Sequence, residues 1–215
     1  MKLFLTSAGL PPETTEAFLG LLNKKPEKTT VCIITTAFFA NHPEGDAPHM
    51  KADKQRLSEL GFRTMTEIDL RKESEKSLKE KLKDFDVVFV TGGNTFYLLK
   101  YMKESGFDKA LKPFLEKGGV YLGVSAGSYV AGLDISPANW KHADDQNIVG
   151  LKDLRGLRLI DFYISPHYIP GHETILNENK HKVSHPIYAL TDQQAILVED
   201  GNIQFVGPGE FKKFE

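Results

Sequence analysis

Four consecutive apolar residues, Val87-Val88-Phe89-Val90, stand between Asp86 and Thr91 with no polar side chain among them. Successive side chains of a strand point to opposite faces, so such a run suits a strand only where both faces are covered; a sheet with one wet face alternates apolar and polar residues instead. The segment is therefore expected to be an inner strand near the middle of a sheet that helices cover on both sides.

Other short apolar or β-branched runs, Lys2 to Ser7, Thr30 to Thr36, Phe62 to Ile68 and Val120 to Val124, read as companion strands. The segments between them carry helical spacing. Phe18, Leu21 and Leu22 follow a Pro11-Pro12-Glu13 start, and Leu57 and Leu60 share one face of Lys51 to Leu60. Strand and helix in alternation predict an α/β fold built on a mostly parallel sheet. Residues Arg71 to Asp84 mix Lys and Glu at helical spacing, the pattern of a solvated helix face. From Gly132 to Gly156 the pattern loosens into a long irregular excursion containing Trp140 and Asp144-Asp145, expected to shape a pocket. Regular structure is expected again over Leu157 to Ser165, in a helix from about Glu173, and in strands near Ala195 to Val198 and Ile203 to Val206. Asp200-Gly201 marks a tight turn between those two strands.

At 215 residues the chain is expected to form one domain, 1–215. Its 27 Lys and Arg against 29 Asp and Glu give a formal net charge of -2, which argues against a nucleic-acid or membrane-surface partner. The lone Cys32 sits in an apolar run, so neither an intrachain disulfide nor a cysteine zinc cluster is expected. No stretch has the length of a membrane span or the pattern of a signal peptide, and the expected location is the cytoplasm.

The densest chemical signal is Gly123-Val124-Ser125-Ala126-Gly127, a G-x-S-x-G that follows the apolar run Val120 to Leu122. A strand-to-helix reversal of this kind forces its serine into a strained conformation and lifts the hydroxyl clear of the sheet, with glycines on either side because side chains would collide. The Ala126 N–H, opening the next helix, would face a developing oxyanion. A second donor of that kind is available at Thr91-Gly92-Gly93-Asn94-Thr95, where a strand meets two glycines and then a helix capped by Asn94 or Thr95. The same segment lacks both the G-x-G-x-x-G spacing and a P-loop lysine, so it supports nucleotide binding poorly.

A nucleophilic serine needs a base, and His42, His49, His142, His167, His172, His181 and His185 compete. His167 follows the run Asp161 to Ser165 and Pro166, which places it at a strand end, whereas His172, His181 and His185 read as surface residues on or beside a polar helix. Zinc is not supported: His172-Glu173 opens an H-E-x-x-H string but Leu176 breaks it, and His181 with His185 lacks a partner ligand. Asp134, Asp144, Asp145 and Asp192 are candidates for the carboxylate that would orient the imidazole.

With these motifs in place the chain resembles the peptidase E family of serine peptidases, which includes aspartyl dipeptidase and cyanophycinase relatives. Gly92-Gly93-Asn94-Thr95, Gly123 to Ser128 and Ser165-Pro166-His167-Tyr168 carry the resemblance, in the family's order and approximate spacing. It implies a three-layer, glutamine-amidotransferase-like (flavodoxin-like) sandwich, a short peptide as substrate, and no metal or organic cofactor. Ser125 would be the nucleophile, His167 the base, and Gly93 and Ala126 the oxyanion donors. The family's acid, commonly a glutamate before a late strand, falls on Asp192. Asn94, Trp140 and Ile175 are expected at the substrate. Aspartyl dipeptidases carry an arginine after a Gly-x-x-Gly-Glu-Thr-like segment, whereas Gly171-His172-Glu173-Thr174 is followed here by Ile175, which cannot pair with a carboxylate. Peptide hydrolysis without strong aspartate preference, by a monomer or homodimer, is the expectation. The rival is a non-catalytic binding module that retains the elbow as architecture.

Overall fold

A computed structural model of the chain describes residues 1–42, 48–143 and 145–215. Its main sheet has seven strands: β1 (Lys2–Thr6), β2 (Thr30–Ile34), β3 (Thr64–Ile68), β4 (Val87–Val90), β5 (Val120–Val124), β8 (Ala195–Glu199) and β9 (Asn202–Val206). They lie in the order β3-β2-β4-β5-β1-β8-β9. The first five are parallel, and β8 and β9 extend the sheet antiparallel. The apolar run Val87 to Val90 is β4, inside the parallel part and buried at every position.

Alternate residues of β4 feed two separate cores, which is why it has no polar side. Val88 and Val90 join one core with Leu3, Leu5, Ile34 and Tyr121, while Val87 and Phe89 join the other with Phe4, Ile33 and Leu122. Helices α1 (Pro12–Gly20) and α2 (Pro48–Glu59) cover the second face through Phe18 and Leu57. Helices α3 (Glu75–Lys81), α4 (Thr95–Ser105), α5 (Phe107–Glu116) and α6 (Ala126–Ala131) cover the first through Leu78, Phe96, Met102, Leu111 and Val130. The Lys/Glu-rich segment yields α3, capped by Ser74 and buried only at Leu78.

A second, small sheet was not legible. Strands β6 (Tyr163–Ser165), β7 (Ile187–Ala189) and β10 (Lys212–Phe214) pair in the order β10-β7-β6, and α7 (Glu173–Asn179) packs Leu176 into a cluster with Tyr163, Tyr168, Ile187 and Phe214. Of the expected element Leu157 to Ser165, only the last three residues are strand. The backbone of 156–159 instead bonds to residues 130–133, at the end of α6 and the start of the excursion. That excursion is largely irregular as expected, with one short helical turn at Ser136–Asn139, a β-bridge between Asp134 and Arg155, and further bonds that fasten it to α4. The Asp200-Gly201 turn forms, with φ of 50° and 86°. Among the described residues no helix is long and apolar enough to cross a membrane.

Candidate active site

Register decides which strand ends meet. Thr6 at the end of β1 lies opposite Val124 on one side and Ala195 on the other, and Val90 lies opposite Gly123. The residues that follow, Ser7, Gly92 and Ser125, together with the turn that precedes Ala195, are thereby gathered on one edge of the sheet.

At that edge Ser125 has φ 50° and ψ −107°, a left-handed conformation that costs a non-glycine residue roughly 1–3 kcal/mol. The surroundings hold it there. Ser125 N–H donates to Thr6 O (3.1 Å), the buried Ser128 hydroxyl reaches Thr6 O (2.7 Å) and Gly123 O (2.8 Å), and Tyr121 Oη donates to Gly127 O (2.7 Å). A β-carbon on Gly123 would lie 2.6 Å from Gly127 O, and one on Gly127 would lie 2.3 Å from Val90 O. The glycines on both sides of the serine are thus set by backbone approach. Gly93, at φ 134°, is pressed equally close to Ala37, and a β-carbon on Gly92 would touch Ser125 Cβ at 3.3 Å. Gly92 thus lies against the serine with Gly93 next in the chain, Ala126 follows the serine, and among the described residues neither the Gly93 nor the Ala126 N–H has an acceptor.

His167 Nε2 lies 2.9 Å from Ser125 Oγ, and His167 Nδ1 lies 2.7 Å from Asp192 Oδ1. An ionised carboxylate only accepts, so Nδ1 carries the proton and Nε2 presents a lone pair to the serine hydroxyl. His167 itself has φ 57°. Asp192 sits in a turn closed by Gln194 N–H on Thr191 O, and the buried Gln194 side chain fastens this turn to Pro208 O (2.8 Å). The pair is open to solvent, with side-chain exposures of 51% and 61%. The site is consequently a ledge. A cavity of about 490 Å³, lined by Leu22, Phe85, Phe114 and Lys117, lies instead at the opposite edge of the sheet, beside the start of β5.

The other carboxylates are engaged elsewhere. Asp134 accepts from Ser136 N–H (2.7 Å) and Tyr163 Oη (3.1 Å), and Asp145 accepts from Asn94 Nδ2 and Thr95 N–H (2.7 and 2.8 Å) at the start of α4. Asp144 and the side chain of His49 lie outside the described residues. Asn94 is buried and caps α4, as the cap reading expected: its Oδ1 accepts from Tyr97 N–H and its amide donates to Asp145 and Gln146 O. Trp140 packs on the cluster of the small sheet, and Ile175 lies half-buried on α7.

His172 departs from its reading as a surface residue. Its ring is 5.2 Å from that of His142, and its Nδ1 is buried. His142 bonds to Ser165 Oγ (2.8 Å), and burial with His172 beside it pulls its pKa down to about 4, so this imidazole is neutral. His181 and His185 are exposed. A residue the sequence reading passed over is Ser7, fully buried, whose hydroxyl contacts both His167 N–H (2.6 Å) and Asp192 Oδ1 (2.9 Å). The available signal was its position, one residue beyond the first strand at the edge where α/β sheets place their sites.

Fold and ledge together define an α/β protein with a serine, a histidine and an aspartate hydrogen-bonded in series at the carboxyl ends of its parallel strands. The family model of peptidase family S51 matches residues 3–206, and the chain belongs to that family. It is a peptidase. An uncharacterized peptidase of Listeria monocytogenes is 31% identical over 205 residues, covering 92% of this chain and 94% of the relative. A peptidase E of Shewanella denitrificans is 30% identical over 142 residues, 61% of this chain and 58% of that one. Among solved structures, a Listeria monocytogenes protein classed with peptidase E superposes with a TM-score of 0.81 at 27% identity, over 97% of this chain and 98% of that one.

Proposed function

We propose that this peptidase is a serine hydrolase of short peptides that works through an acyl-enzyme on Ser125, residues 1–215 acting as one domain. The observation that carries the reading is the continuous run Ser125 Oγ, His167 Nε2, His167 Nδ1, Asp192 Oδ1, with both links within 2.9 Å. Ser125 Oγ attacks the scissile carbonyl carbon while its proton passes to His167 Nε2. The oxyanion is held by the N–H groups of Gly93 and Ala126, where fixed donors are worth most because they need no reorganisation. The carbon–nitrogen bond then breaks, its electron pair leaves on the amine, and His167 returns the proton to it. Water repeats the sequence on the acyl carbon, releasing the carboxylate and restoring the Ser125 hydroxyl. Because the ledge is wet, the peptide itself must cover His167 and Asp192 for these charges to act at low dielectric.

The test is covalent labelling with a fluorophosphonate, together with hydrolysis of a dipeptide and tripeptide panel. Wild type is expected to label once, at Ser125, and to cleave members of the panel, while Ser125→Ala does neither. Hydrolysis retained by Ser125→Ala would overturn the reading. A wild type that neither labels nor cleaves would leave the elbow as architecture alone.

A further inference from the structure

We propose that Ser7 is a positioning residue of this site, locking His167 and Asp192 to each other through one buried hydroxyl. The proposal rests on the reading of Ser125 as nucleophile and adds to it a group that acts through the other two.

A hydroxyl has one proton to give and two lone pairs to receive with. Here the directions are forced: the His167 N–H can only donate, so Ser7 Oγ accepts it at 2.6 Å, and the Asp192 carboxylate accepts the Ser7 proton at 2.9 Å. The same oxygen, Asp192 Oδ1, also takes His167 Nδ1–H at 2.7 Å. Ser7, the His167 backbone, the imidazole and the carboxylate thus close a ring of hydrogen bonds in which the serine is the only wholly buried side chain.

That burial decides what Ser7 does. An ion pair or hydrogen bond between two half-exposed side chains is worth little and holds its geometry poorly, because water competes and both side chains keep rotamer freedom. Asp192 and His167 are in that situation, at 61% and 51% exposure. Ser7 is not. It is anchored one residue past β1, whose Thr6 is paired on both sides, to Val124 of the strand that carries Ser125 and to Ala195 of the strand that follows the Asp192 turn. The hydroxyl is therefore referenced to the sheet and ties the two exposed groups to the frame that also fixes the nucleophile. The contact on His167 N–H has a second consequence: it steadies a non-glycine residue at φ 57°, a conformation that sheds its strain if released.

A hydroxyl that merely satisfied a buried N–H would give the same stability loss on mutation, so the test must read coupling. The second-order rate of fluorophosphonate labelling is measured on wild type, Ser7→Ala, Ser7→Thr, Asp192→Asn and the Ser7→Ala/Asp192→Asn double variant, with circular dichroism and Tm as checks of folding. In labelling, the Ser125 Oγ–P bond forms, the P–F bond breaks with fluoride leaving, and His167 takes the hydroxyl proton. Ser7→Ala is expected to label roughly 10- to 100-fold more slowly, the scale of an ångström of misplacement. Ser7→Thr, which keeps the hydroxyl, should recover most of the rate. The double variant should fall within about threefold of Asp192→Asn, since groups acting as a unit are not additive. If alanine does not fold, Ser7→Cys, of similar volume but a weak donor, replaces it with the same expected direction. A folded Ser7→Ala or Ser7→Cys that labels at the wild-type rate overturns the proposal, as does a double variant that multiplies the two single losses. Labelling of Ser125→Ala at the wild-type rate would overturn the serine reading beneath it and is scored separately.

Discussion

The glycine at position 127 offers the sharpest test of how tightly this elbow is built. Substitution by alanine would place a methyl 2.3 Å from Val90 O and 3.0 Å from Val90 C, both main-chain atoms of the central strand β4. Ordinary carbon–oxygen contact begins near 3.4 Å, so α6 and the end of β4 must part by about 1 Å, and no flexible side chain can absorb the strain. Overpacking of this kind costs about 1–3 kcal/mol, which for a domain of this size lowers Tm by ~2–4 °C per kcal/mol. The same displacement moves Ser125, at the head of α6, away from Gly92 and Gly93, which follow β4. An ångström of misplacement at reacting groups costs on the order of 10²-fold in rate. Gly127→Ala should therefore lose both stability, read by urea unfolding, and activity, read by kcat/KM on a cleaved peptide. Gly20→Ala is the matched control: nothing lies within 4 Å of its added methyl at the end of α1, so stability should hold or rise by up to about 1 kcal/mol with activity unchanged. A Gly127→Ala protein with wild-type unfolding and wild-type kcat/KM would refute the steric reasoning.

On the proposed mechanism Asp192→Asn should depress kcat strongly while leaving KM nearly unchanged, because there the carboxylate orients His167 and does not touch substrate; near-wild-type turnover would remove it from the mechanism. Burial pushes the Asp53 carboxyl up to about 7, so the folded chain keeps a proton that the unfolded chain releases near pH 4. Stability should fall as pH rises from about 4 to 7, and Asp53→Asn should be more stable than wild type by ~1–3 kcal/mol at pH 8 but not at pH 4. Parallel pH–stability curves for the two proteins would contradict this. With Ile175 in place of an arginine, peptides beginning with aspartate should be cleaved no better than neutral analogues, an aliphatic wall separating side chains by only ~1–3 kcal/mol, and Ile175→Arg should shift kcat/KM toward acidic residues; a strong wild-type preference for aspartate would sink that expectation.

What could be read from the sequence was what short-range chemistry dictates. The inner parallel strands β1, β2, β4 and β5 stand out because burial on both faces erases alternation, as Val87 to Val90 shows, whereas edge strand β3 is largely exposed; the elbow stands out because Gly123 and Gly127 have no substitute at backbone distances of 2.6 and 2.3 Å. The small sheet escaped notice because its strands are three residues each, too short for any period to register, and its cluster draws on Phe214 from the far end of the chain. The cap that Asn94 places on α4 was readable from its neighbours, but its bond to Asp145, some fifty positions on, was not. Ser7 gave no motif at all, since a single serine after a strand is unremarkable until register sets it between His167 and Asp192.

If Ser125 works as proposed, the pairing of β1 with β8 also sets when the protein could begin to cut. Synthesis delivers the nucleophile's strand early, yet the ledge needs the turn carrying Asp192, and that turn is held only once residues 195–199 have emerged and zipped onto the first strand made. A growing chain on the ribosome therefore carries Ser125 as an inert hydroxyl for some seventy further residues. On that mechanism the peptidase would stay silent until residues 195–199 join the sheet, and its first activity would mark that step.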